Sequence, residues 1–228
     1  MSVGSLKVVT LRWSLASLPI LFLGWMYVDA ALRHGAIVNT TLENTDQAAY
    51  LEYAVGLRLN GASHIGNRNQ MPLYPFLQSL VFDPQLTIEQ SFERGKAFNI
   101  ALSVVLLAGL LLFWRRSLTA IQTAALLLVT AFTVFVFRAA YIQTELLFYV
   151  LAFGTFLLSC RLLQQPSWSL AAMTGLVAAL AHLAKSLALP GLLLFLGVGA
   201  LRAGWFAWRA RSPEVGAGRS AARSAMKE

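Results

Sequence analysis

The residues able to do chemistry in this chain sit between its apolar runs. The polar stretch from His34 to Lys96 carries six of the ten acids, Glu43, Asp46, Glu52, Asp83, Glu89 and Glu93. Two pieces of it have usable spacing. In Asn44-Thr-Asp-Gln47, Asn44 fits a helix N-cap and Gln47 completes a capping-box pattern. Asp46 then falls in the first turn, where the helix dipole favours the ionised carboxylate. In Asn67-Arg-Asn-Gln-Met-Pro-Leu-Tyr-Pro75, Arg68 can reach a phosphate or a carboxylate, and Pro72 and Pro75 hold Met71–Pro75 extended and stiff. Further along, Glu145 and Lys185 lie next to apolar runs, as do Arg138 and His182. Ionisable groups so placed are costly and tend to face a cavity or a partner, although a Lys near the interface can also snorkel to water. By itself each has a plain structural reading: Asp46 as a helix-terminus stabiliser, Arg68 as a solvated side chain, His182 as packing.

These residues hang on a membrane scaffold. The chain is 57% hydrophobic and 12% charged, and its apolar residues come in long runs, which makes it an integral membrane protein. The net charge of +8 is spread over the ends of those runs rather than gathered in a patch, which argues against nucleic-acid binding. The single Cys160 lies inside an apolar run, so there is no disulfide framework. There is no Gly-rich phosphate loop, no His/Cys metal cluster and no Gly-x-Ser-x-Gly nucleophile turn.

The pattern predicts an all-α fold of about six transmembrane helices. The runs are Ser14–Leu32, Ala97–Trp114, Leu118–Phe137, Leu146–Leu163, Leu170–Ala184 and Leu187–Leu201, with Pro190 expected to interrupt the last. A retained anchor fits the first run better than a signal peptide, because the run is longer than a signal core of roughly 7–15 residues. Residues 1–204 form the membrane module, 34–96 its long first outer loop, and 205–228 a disordered basic tail. The excess of Lys and Arg places both termini in the cytoplasm. In the outer loop, Tyr50, Leu51, Ala54 and Leu57 recur at helical spacing, predicting an amphipathic helix on the membrane surface. Leu73, Phe76, Leu77 and Leu80 predict a second, shorter one.

Together these features resemble the GT-C superfamily of glycosyltransferases, in its bacterial protein-mannosyltransferase and aminoarabinose-transferase-like branch. The matching residues are Thr45-Asp-Gln-Ala-Ala-Tyr-Leu-Glu-Tyr-Ala54, Arg68-Asn-Gln-Met-Pro-Leu-Tyr-Pro75, Ile142-Gln-Thr-Glu-Leu-Leu-Phe148 and Gly175-Leu-Val-Ala-Ala-Leu-Ala-His-Leu-Ala-Lys185. The resemblance spans roughly Leu11 to Leu201. It implies a bacterial inner-membrane enzyme that passes a sugar from a polyprenyl-phosphate carrier to a lipid, glycan or protein acceptor on the outer face. It implies catalytic roles for Asp46 and Glu145 and substrate contacts for Arg68, Tyr74, Arg138 and Lys185, the last two toward the lipid phosphate. A divalent cation is left open as cofactor, with no metal ligands assigned. The chemistry suits these types, since displacing a phosphate from an anomeric carbon needs a base for the acceptor hydroxyl and positive charge for the leaving group.

The chain departs from the pattern where many relatives carry a second acid, here Gln47, and where some carry a Lys, here Asn69-Gln70. Relatives also usually have more spans. The alternative reading is a non-catalytic subunit or remnant that binds a lipid carrier or a partner protein. A small-molecule transporter is a third reading, disfavoured because neither mid-span ionisable groups nor repeated halves are evident.

Overall fold

The computed structural model describes residues 3–43, 45–64 and 70–211. Helix α1 spans Val3–Val38, and two short helices follow it, α2 (Gln47–Asn60) and α3 (Leu73–Ser79). Next come α4 (Ile88–Trp114), α5 (Ala120–Thr130), a π-helical segment (Ala131–Phe135) and α6 (Val136–Ala139), then α7 (Glu145–Gln164), α8 (Trp168–Ala184) and α9 (Ala188–Arg211). Among the described residues four helices are long and apolar enough to cross a membrane, Ile88–Trp114, Ala120–Ala139, Glu145–Gln164 and Ala188–Arg209, and Trp168–Ala184 is a shorter apolar helix. The protein is therefore an all-helical membrane protein among its described residues.

Helix starts follow local chemistry. Thr87 and Gln90 form a reciprocal capping box at the head of α4, Thr119 and Gln122 do the same for α5, and Ser167 caps α8. The cap at Thr87 explains one departure from expectation. Residues 88–96, read as outer loop, are the first turns of α4, because the polar cap and not the apolar run sets where that helix begins.

Three further expectations are corrected. Pro72 is helical (φ −76°, ψ −20°) and Pro75 lies in the first turn of α3, so Met71–Pro75 opens a helix instead of running extended. In a first turn a proline gives up no intrahelical hydrogen bond. Pro190 occupies the first turn of α9 for the same reason and does not interrupt it. Helix α9 also continues through Trp205 to Arg211, into residues expected to be tail.

Two apolar clusters hold the helices together. The first joins Tyr27 and Ala31 of α1 to Ile100, Leu107 and Leu110 of α4, and to Phe135, Val136 and Leu146. The second lies at one end of the bundle and joins Tyr50 of α2, Tyr74 of α3 and Phe92 of α4 to Ile142, Leu147, Phe148 and Ala184. Of the stripe expected on α2, Tyr50, Leu51 and Ala54 are buried. Close approach is made possible at two glycines. A Cβ on Gly35 would sit 2.5 Å from the Ala140 Cβ, and one on Gly95 2.5 Å from the Ile142 Cδ1.

Candidate functional site

The site forms where α2 and α3 meet the turn Ala140–Thr144, which links α6 to α7. Nearly every group of that turn is tied. Asn99 of α4 donates from Nδ2 to the carbonyls of Ala139 (3.0 Å) and Tyr141 (2.6 Å). Asn39 donates to the Ala140 carbonyl at 2.7 Å, and the Ile142 N–H donates to the Gln47 Oε1 at 2.9 Å. Asn39 and Gln47 also pair reciprocally through both amides, at 2.7 and 2.8 Å. Thr144 donates to the Ala184 carbonyl at 3.0 Å, bringing in the end of α8. These amides are fully or almost fully buried, where an unmade hydrogen bond is expensive, so the arrangement is rigid.

The expected capping box of Gln47 with Asn44 lies outside the described residues. The Gln47 side chain turns inward to Asn39 and Ile142. Asp46 takes the N-cap position of α2, makes no capping hydrogen bond and is exposed. Among the described residues its carboxylate makes no ion pair. The residue before it, Thr45, has φ +116°, a region a β-branched residue rarely enters. Its hydroxyl accepts a hydrogen bond from the Gln143 Nε2 at 2.5 Å. Backbone strain of this kind, of order 1–3 kcal/mol, persists only where the surroundings enforce it.

Behind Asp46 lies Tyr50, 7% exposed and packed edge-on against Tyr74 with ring centroids 5.5 Å apart. The Tyr50 hydroxyl is pushed up to about 12 by burial and by the negative charges of Glu145 and Asp46. Tyr50 thus sits within electrostatic reach of both carboxylates expected to be catalytic. Glu145 opens α7 and pairs with Lys185, which ends α8, at 2.9 Å. The acid is more enclosed than the amine, with side-chain exposures of 19% and 36%.

The other expected site residues divide. Tyr74 is fully buried, and its hydroxyl donates to the Asn99 Oδ1 at 3.0 Å while accepting from the Gln78 Nε2 at 2.8 Å. Burial raises its hydroxyl pKa far above the ordinary value. With both sides of the hydroxyl engaged by protein, Tyr74 braces α3 against α4. Arg138 is exposed on α6 and its side chain makes no ion pair among the described residues. Arg68 lies outside the described residues. His182 lines an apolar cavity of about 330 Å³ between α7, α8 and α9, with its Nδ1 buried and unpartnered among the described residues. Among the described residues no three His, Cys, Asp or Glu side chains converge as a metal set.

Asn39, Asn99, Tyr50 and Gln143 are the residues that sequence reasoning missed. Asn99 left a signal, being a lone amide inside the apolar run Ala97–Trp114, where a polar group needs partners. Comparison with protein families, with curated proteins and with solved structures finds no match to this chain.

Proposed function

We propose that this protein is a GT-C-type membrane glycosyltransferase that moves a sugar from a polyprenyl-phosphate carrier to an acceptor on the non-cytoplasmic face. In this reading it has six spans, both termini are cytoplasmic, and α2 and α3 lie on the outer surface. Helix alternation supports the orientation. Arg115, Arg116, Arg161 and Arg202 fall at the bundle end opposite α2, together with Trp114, Trp168 and Trp205, as interfacial anchors do. Arg202 of α9 donates to the Leu163 carbonyl of α7, which joins the two helices at that end.

One observation carries the reading. An exposed carboxylate, Asp46, preceded by the strained Thr45, acts on the buried Tyr50 together with Glu145, which is half-enclosed and paired with Lys185. Transfer needs those parts. The acceptor hydroxyl attacks the anomeric carbon as the carbon–oxygen bond to the phosphate breaks, its proton passes to Asp46, and the charge left on the lipid phosphate is met by Lys185. Glu145 accepts one of the Lys185 donors and orients the ammonium, leaving its remaining N–H groups for the phosphate. Arg138 is a second cation, at the end of α6 before the Ala140–Thr144 turn.

The test is transfer of labelled hexose from a polyprenyl phosphate by the full chain in liposomes. Asp46→Asn should insert and accumulate normally yet lose about 10²–10⁴ of the rate, the usual worth of a general base. Unchanged turnover in that variant would remove Asp46 from the mechanism. Carrier binding without any turnover in the unmodified chain would instead leave the non-catalytic subunit.

A further inference from the structure

The cavity beside His182 is a crevice that runs down the bundle between α7 and α9, with the end of α8 closing one side. It extends along α7 from Phe148 to Leu163. At 1.5 Å per residue that stretch measures about 22 Å, more than the roughly 15 Å of one hydrocarbon leaflet. Access is lateral. Phe156 of α7 and Leu194 of α9 line the crevice and are 62% and 71% exposed. None of the membrane-crossing window of α9 is buried, so no described helix covers the opening.

The lining suits a hydrocarbon chain. Its polar members are Thr155, Ser159, Cys160 and His182, and the Thr155 hydroxyl already donates to the Leu151 carbonyl. Apolarity alone does not choose an occupant in a membrane, but charge does. The crevice ends at Leu163, whose carbonyl accepts from Arg202 of α9, and Arg161 lies in the same turn of α7. Both arginines are exposed. A guanidinium has several N–H donors, so the Leu163 bond leaves others for a second oxygen. That bond also covers a carbonyl at the negative end of α7, which would otherwise repel an anion. This end of the bundle carries Arg115, Arg116, Arg161, Arg202 and Arg209, with no Asp or Glu in 114–119, 160–168 or 200–211.

We propose that an anionic two-chain phospholipid is seated here, one acyl chain in the α7–α9 crevice and its phosphate on Arg161 and Arg202, holding α9 to the bundle. Basic pockets between spanning helices recognise such head groups by charge. A second copy of the chain suits the place less well, because a two-fold interface would set like arginines against each other. The polyprenyl carrier does not belong at this end. Glu145 opens α7 and Arg161 lies in its last turn, roughly 24 Å along the helix, so a phosphate held here cannot reach the acids. The seat is independent of what Asp46 and Glu145 do.

The test is native mass spectrometry of the full chain in detergent, titrated with dioleoyl phosphatidylglycerol, dioleoyl phosphatidylcholine and undecaprenyl phosphate. One phosphatidylglycerol should bind at least about tenfold more tightly than phosphatidylcholine. Arg161→Gln with Arg202→Gln should weaken it about thirtyfold, what two basic residues supply near an anionic head group. Arg161→Gln alone, which breaks no ion pair, should weaken it about fivefold and replaces the double variant should that one not fold. Arg115→Gln with Arg116→Gln, at the same end but off the crevice, should change it less than about twofold. A Cβ on Gly191 meets nothing within 4 Å, so Gly191→Leu fills the crevice without a clash. It should weaken phosphatidylglycerol about tenfold with every arginine kept.

Equal binding of the two phospholipids, an intact preference in the Arg161 variants, or unchanged binding in Gly191→Leu overturns the seat. A loss in the Arg115 and Arg116 variant as large as in the Arg161 and Arg202 variant overturns it in favour of general surface charge. Undecaprenyl phosphate bound tightest and lost in Gly191→Leu gives the crevice to the carrier instead. A lipid-free dimer that dissociates in Gly191→Leu gives it to a second copy.

Discussion

The end of the bundle that carries α2 and α3 and the carboxy-terminal helix α9 are held by different forces. The first is short helix and turn, yet Asn39, Gln47, Gln78 and Asn99 are buried there in one hydrogen-bonded assembly. Helix α9 is long and apolar, but none of its described membrane-crossing window is buried. Leu193, Leu194, Leu196 and Leu201 are all exposed. The contrast follows from the solvent. Against lipid an apolar helix loses little by standing apart, since burying Leu against Leu gains little over Leu against acyl chains. The turn Ala140–Thr144 has no such freedom, because its carbonyls and N–H groups must be satisfied by protein wherever lipid or packing excludes water. Precision is therefore concentrated at the site end.

The contrast is broken most directly at Asn99. Asn99→Ala removes the donor to the Ala139 and Tyr141 carbonyls and the acceptor for Tyr74 at once. We expect a loss of about 2–4 kcal/mol, read from the denaturation midpoint in mixed detergent micelles. A loss under about 0.5 kcal/mol would show that the clamp is not what holds this end. Next is Gly35→Ala, whose added Cβ would meet the Ala140 Cβ at 2.5 Å. Neither atom is the end of a flexible chain, so α1 and the turn must separate, at about 1–3 kcal/mol in the same assay.

A smaller effect lies in the alkaline limb. The Tyr50 hydroxyl, with its folded value raised to about 12, keeps its proton after the unfolded chain has released it near 10. Its contribution is present below about pH 10 and is lost as pH rises through the folded value, because over that window the unfolded state binds fewer protons. Tyr50→Phe should flatten the fall between about pH 10 and 12, by roughly 1–2 kcal/mol at its upper end. Identical alkaline limbs in the two proteins would place Tyr50 in an ordinary aqueous setting. Smallest is Gly197→Ala in α9, where an added Cβ meets nothing within 4 Å. It should be neutral or stabilise by up to about 1 kcal/mol through helix propensity alone. A marked destabilisation would mean that α9 is packed as closely as the site end.

Much of this was legible beforehand, and the gaps have a pattern. Helices were expected in the polar segment and are present there as Gln47–Asn60 and Leu73–Ser79, because amphipathic spacing is a local property. The start of α4 was misjudged, since Thr87 and Gln90 extend it beyond the apolar run by capping alone. The inward bonds of Gln47 to Asn39 and Ile142 were not legible, because these partners become neighbours only once α1 and the 140–144 turn are in place. Tyr74 and Lys185 lie at this end, each with a protein partner that spacing could not reveal.

Composition and periodicity alone were enough to make this chain an all-helical membrane protein with a polar segment between its first apolar runs, because hydropathy and helical spacing act over a few residues and need no folding partner. Which amides clamp the Ala140–Thr144 turn and which acid meets Lys185 were decided only by packing. Those contacts join residues 40 to 101 positions apart, and a hydrogen bond over such a separation is chosen by where the helices bring its two ends.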